Sequence, residues 1–162
     1  MGKEPFPSSI ANPHGDALRV ALKSAMESDK LSEEEVALLE EHVRQSPKDM
    51  LARSRLLSYY FLRHFDSEDA ARKRTDHILW IIRNAPTSPV AFTSLIRLDI
   101  DPEAYQKARA IWHEHLTHGP VSRELLLNAA SFLTPFDKDE AQALQERARE
   151  LGATHRERSD DG

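Results

Sequence analysis

The 34 residues from Pro120 to Ala153, PVSRELLLNAASFLTPFDKDEAQALQERARELGA, read as a helix, a tight break and a second helix. The proline that opens this unit follows Pro86 by 34 residues, and Pro86 closes another helical pattern. A hairpin of that length cannot cover its own apolar face. A recurring interval near 34 residues therefore implies similar hairpins packed on either side. Only a few residues bridge the two helices, which forces them to run antiparallel.

The rest of the chain is punctuated in the same way. Residues 1–14 contain three prolines without periodicity and read as a flexible tail. From Gly15, the apolar residues Leu18, Ala21, Leu22, Ala25 and Met26 keep helical spacing to about Ser28. Ser32 and Glu35 form a capping box for a second helix with the stripe Val36, Leu39 and Val43. Ser46-Pro47 opens a third helix, and Asp66 with Asp69 frames a fourth that stops at Pro86. Ser88-Pro89 starts a fifth over VAFTSLIRL, and Asp101-Pro102 starts a sixth that ends at Gly119-Pro120. The seventh is RELLLNAASFL, and the eighth begins at Asp137, with Glu140 as capping partner, and ends at the C-cap residue Gly152. Asp66, Asp101 and Asp137 lie 35 and 36 residues apart, so the second helices of successive hairpins share a period. Residues 15–152 form one helical domain, and 153–162 a frayed polar tail.

Composition narrows the functional classes. Five glycines and few β-branched runs argue against strands. The absence of cysteine excludes disulfides, thiolate metal ligands and a cysteine nucleophile. No apolar run approaches membrane-spanning length, and the first residues hold no apolar signal core. The expectation is a soluble chain without membrane insertion, cytoplasmic unless a leader has been removed. The net charge of −5 is uneven: residues 1–45 carry −4, 46–86 carry +3 and 87–162 carry −4. The whole chain is a poor match for nucleic acid, while its middle could hold an anionic group.

Leu125, Ala129, Phe132, Ala141 and Ala148 give the last unit a spacing that resembles the tetratricopeptide repeat. In that family small residues let helices approach and an aromatic fills the gap between hairpins. The closing proline of the family is Ala153 here. Leu98, Ala108, Trp112 and Pro120 fit the preceding unit with one residue inserted, although His115 stands where a small residue is usual. Leu57, Ser58, Phe61 and Ala70 fit the unit before that. YQKARAIWHEHLTHGP is also similar to the related half-a-tetratricopeptide repeat. The resemblance covers roughly residues 47–153 and implies a concave surface that holds a peptide or a helix.

Several residue groups are candidates for chemistry. Arg55, Tyr59 and Arg63 stand at i, i+4 and i+8, which places them on one side of a helix; the repeat resemblance makes that side concave. Arginine can grip a carboxylate with two parallel hydrogen bonds, and tyrosine offers a flat ring and a hydroxyl. The corresponding positions Phe92 and Ile96, then Leu126 and Ala130, are apolar. A groove basic at one end and apolar beyond suits a partner with an acidic end, against the alternative of a solvated basic face.

The string HEHLTH offers His113, His115, His118 and Glu114 as zinc ligands. A zinc-protease helix needs two histidines four apart, and Thr117 breaks that pattern. Asp99, Asp101 and Glu103 form an acidic loop without the glycine and the alternating oxygens of a calcium site, and Asp101 is explained as an N-cap. Trp80 and Trp112 read as core residues.

The sequence thus predicts an all-α fold: antiparallel helical hairpins stacked as a short right-handed α-solenoid of about eight helices. The expected function is a non-catalytic protein–protein interaction module without cofactor or metal. It would bind a protein or peptide partner through Arg55, Tyr59, Arg63, Phe92 and Ile96. The rivals are a metal-binding protein or metal-assisted hydrolase built on HEHLTH, and a structural repeat domain that pairs with another copy of itself.

Overall fold

A computed structural model describes residues 26–160 together with Arg19 and Lys23. The N-terminal tail and most of the helix expected from Gly15 to Ser28 lie outside the described residues. Among the described residues the fold is all-α, with seven helices, two 3-10 turns and no strand. After the first turn, Ser28–Lys30, come α1 (Glu33–Gln45), α2 (Met50–Arg63), α3 (Glu68–Asn84) and α4 (Pro89–Phe92). The second 3-10 turn, Ser94–Ile96, leads to α5 (Pro102–His118), α6 (Arg123–Leu133) and α7 (Lys138–Asp160).

Most starts follow from side-chain caps that satisfy backbone N–H groups left over in a first helical turn. Ser32 and Glu35 form the expected capping box on α1. Asp101 caps α5 by accepting from the amides of Glu103 and Ala104. The proline at 47 does not begin α2. Ser46–Asp49 folds as a turn, and Asp49 Oδ1 accepts from the Ala52 amide at 3.0 Å. The other Asp49 oxygen holds His42 Nε2 at 2.8 Å, which anchors the turn to α1. α3 is capped by Ser67, one residue beyond Asp66.

Two helical expectations are corrected. The helix expected over residues 90–98 is a single α-turn: Thr93 is extended, at φ −70° and ψ 153°, and its hydroxyl donates to the Val90 carbonyl at 2.8 Å. A threonine that bonds its own neighbouring backbone competes with helix propagation. Further on, the buried Arg74 of α3 donates to the carbonyls of Leu95 (3.0 Å), Leu98 and Asp99 (3.3 Å). Asp99 takes a left-handed φ of 49° to complete the turn into α5. At the other end, α7 passes through Gly152 to Asp160 instead of stopping. No proline follows Gly152, and Ala153, Arg156, Glu157 and Arg158 are good helix formers.

Packing follows the apolar stripes. α3 buries Ala70, Arg74, His77, Ile78, Ile81 and Ile82 on one face, and α5 buries Ala104, Ala108, Ile111 and Trp112. α2 pairs with α3, α6 with α7, α3 with α5, and α4 with α6. The larger core runs from Leu57 through Ile78, Ile81, Trp112 and Phe132 to Ala148. Full burial of a side chain as large as Trp112 or Phe132 contributes about 1.5–3 kcal/mol. Leu125, Ala129, Phe132, Ala141 and Ala148 are all buried there. Leu98, one of the repeat-like positions of the preceding unit, is 46% exposed instead. A smaller core joins Val36 and Val43 of α1 to Leu56, Tyr59 and Tyr60 of α2.

Candidate functional site

The five residues expected to bind a partner do not form one groove. Tyr59 and Arg63 line a cleft of about 700 Å³ between α1, the end of α2 and the start of α3. Phe92 lines a different cleft, of about 440 Å³, where the segment after α4 meets α6 and α7. Ile96 is wholly enclosed in the core, as are Leu126 and Ala130 at the corresponding positions of α6. Their apolar side chains satisfy the inter-helix core, so they offer no surface to a partner. Arg55 lines neither of these clefts. The Ser32 hydrogen bonds, with a smaller contribution from Arg55, hold the Glu35 carboxyl below its ordinary range.

The walls of the first cleft are tied by internal pairing. Tyr59 is only 9% exposed, and the Arg63 guanidinium lies 3.8 Å over its ring while donating to its carbonyl. Behind the cleft a polar chain links three helices. Tyr60 donates to Glu40 Oε1 at 2.7 Å, His77 Nε2 lies 3.0 Å from the same oxygen, and Arg53 lies 3.1 Å from His77 Nδ1. Arginine can only donate, so His77 Nδ1 accepts and Nε2 carries the proton toward Glu40. The Arg53 guanidinium also donates to the Pro47 carbonyl and stacks 3.6 Å over Trp80.

Burial by itself would raise the Glu40 carboxyl. The His77 and Tyr60 hydrogen bonds outweigh it and leave the group below its ordinary value. Burial, helped by the hydrogen bond to Glu40, pushes the Tyr60 hydroxyl far up. Each of these partners spends its bonds on another helix. The network is a structural tie between three helices.

The second cleft has a different character. Arg123, Leu127 and Ser131 occupy one face of α6 at i, i+4 and i+8, opposite Phe92, Arg97 and, from α7, Arg149. Phe92 is 38% exposed. Arg97 is oriented by α6, since its Nη1 donates to the Ser131 carbonyl at 3.0 Å and to the Ser131 hydroxyl at 2.6 Å. That hydroxyl in turn donates to the Phe92 carbonyl at 3.2 Å. The Arg123 side chain reaches toward α7 and passes close to Gly152, where an added Cβ would lie 3.5 Å from its Nε. Among the described residues no carboxylate lines this cleft or forms an ion pair with Arg97, Arg123 or Arg149.

The histidine string is divided between neighbours. His113 Nε2 lies 2.5 Å from Glu140 Oε1, and Arg109 donates to the other Glu140 oxygen, Oε2, at 3.2 Å. Glu140 thereby leaves the expected capping box, although its amide still bonds Asp137. His115 Nε2 donates to the Ile82 carbonyl of α3 at 2.8 Å. His118 and Glu114 are exposed. Among the described residues no three metal-ligating side chains are placed to hold an ion, and none of the helices is long and apolar enough to cross a membrane.

Arg97, Arg123 and Arg149 escape a reading by segment because they lie in a stretch of net charge −4 and meet only through the fold. The usable signal was the i, i+4, i+8 face Arg123, Leu127 and Ser131 beside a buried one. No family model, curated protein or solved structure matches this chain.

Proposed function

We propose that this chain is a non-catalytic protein–protein interaction module, a short tetratricopeptide-like row of helical hairpins. Its partner-binding surface is the cleft between Phe92 and the Arg123–Leu127–Ser131 face of α6. The observation that carries the reading is an open cleft that no carboxylate lines among the described residues, held in shape by side-chain bonds between separate elements. Support for the stacked arrangement comes from helix neighbours: α2 touches the Ser94–Ile96 turn, α4 packs on α6, and α3 packs on α5. A preformed surface of this kind binds without a large ordering cost, as a rigid recognition module requires. The cleft around Tyr59 and Arg63 contributes a structural tie in place of the expected polar binding end.

A steric block tests the reading independently of charge. Gln145 lines the cleft from α7, and Gln145→Trp fills it without altering the arginines. Affinity capture from source extract is expected to retain a specific protein on the wild-type chain and to lose it on the variant at unchanged helicity. Equal capture by both proteins overturns the assignment.

A further inference from the structure

The partner's chemistry can be drawn from the same cleft, and this inference rests on the binding reading above. Three arginines from three separate segments line it. Arg97 is pinned by Ser131, Arg123 leans from α6 toward α7, and Arg149 lines the cleft from α7. The floor between them carries Leu127 and the partly exposed Phe92.

A guanidinium prefers a carboxylate or a phosphate as a planar two-point acceptor, and no carboxylate of the described chain supplies one here. The chain is acidic overall at −5, so a local cluster of cations without an ion-pair partner among the described residues stands out against its own surface. A single terminal carboxylate can engage one guanidinium, or two at most. Three held on separate elements call for several acceptors spaced along one backbone.

We propose that the cleft binds an extended acidic segment of a partner protein. Aspartate or glutamate side chains of that segment meet Arg97, Arg123 and Arg149, and an intervening apolar side chain lies against Leu127 and Phe92. In an extended segment every second side chain points the same way, so an apolar residue between two acidic ones on that side faces Leu127 and Phe92 while the acids face the arginines. The charged contacts steer association and weaken with salt, while the apolar contact persists.

The test uses acetylated and amidated eight-residue peptides, one alternating pairs of aspartates with pairs of leucines and one alternating pairs of asparagines with pairs of leucines, titrated by fluorescence anisotropy. The wild-type chain is expected to bind the aspartate peptide at least about tenfold more tightly than the asparagine peptide. Arg123→Gln with Arg149→Gln, both exposed and outside the core, should remove about that tenfold preference with unchanged circular dichroism. Two peptides bound equally by the wild type overturn the charge assignment and leave the interaction reading standing. No peptide binding, together with equal extract capture by Gln145→Trp, overturns both. A uridine 12-mer that binds as tightly as the aspartate peptide, and is lost in the same variant, overturns the protein-segment assignment in favour of a nucleic-acid phosphate.

Discussion

Arg74→Leu should destabilise the chain and misplace Arg97 at once. Arg74 is 3% exposed, and its guanidinium bridges α3 to the carbonyls of Leu95, Leu98 and Asp99, the segment that carries Arg97. Burial lowers its pKa to about 10, so it stays charged at neutral pH. A hydrogen bond from a charged donor is worth about 1.5–3 kcal/mol. Three such bonds would sum to more, but Leu98 and Asp99 are exposed and their carbonyls can turn to water. Leucine also removes the penalty of burying the charge. The net expected loss is about 2–4 kcal/mol, a large fraction of the roughly 5–15 kcal/mol that holds a domain folded. Urea unfolding followed by far-ultraviolet circular dichroism measures it, with the midpoint falling and the slope unchanged. Arg74→Lys should fall between, since one ammonium cannot reach three carbonyls in the same geometry. A loss below about 1 kcal/mol for leucine would refute the idea that this side chain holds the 94–99 segment.

Other outcomes follow from the first cleft. The Glu40 carboxyl is depressed in the folded state, so its stabilisation is present above the ordinary carboxylate range and is lost as pH falls through the folded value. Glu40→Gln keeps an acceptor for Tyr60 and His77, and should flatten part of the acid limb of a stability–pH curve; an unchanged limb contradicts the network. Arg55→Glu with Arg63→Glu should leave capture of the extract partner intact, because these residues lie outside the proposed cleft; loss of capture at native helicity would move the site back to α2.

The helical class was legible because the apolar stripes and the caps are local signals. Ser32, Ser88 and Asp101 each sit where their side chains accept first-turn amides. The loss of regular α-helix over residues 95–99 was not legible, because Arg74, about twenty residues upstream, takes carbonyls that a helix would otherwise use internally. The expected groove is divided for a related reason. Ile96, Leu126 and Ala130 were read as a groove wall, yet apolar side chains at those positions gain more from the core. The neighbouring face that carries Arg123, Leu127 and Ser131 is left for the surface. The cluster of Arg97 and Arg149 around that face joins positions far apart in sequence, which no local window contains.

A photo-crosslinking residue placed at Gln145 reads the central claim in the native mixture, with the same probe at the exposed Gln106 of α5 as reference. The account predicts that illumination in source extract joins a single protein species to the chain from position 145 and not from 106. Equal adducts from both positions, or adducts from 106 alone, would contradict it.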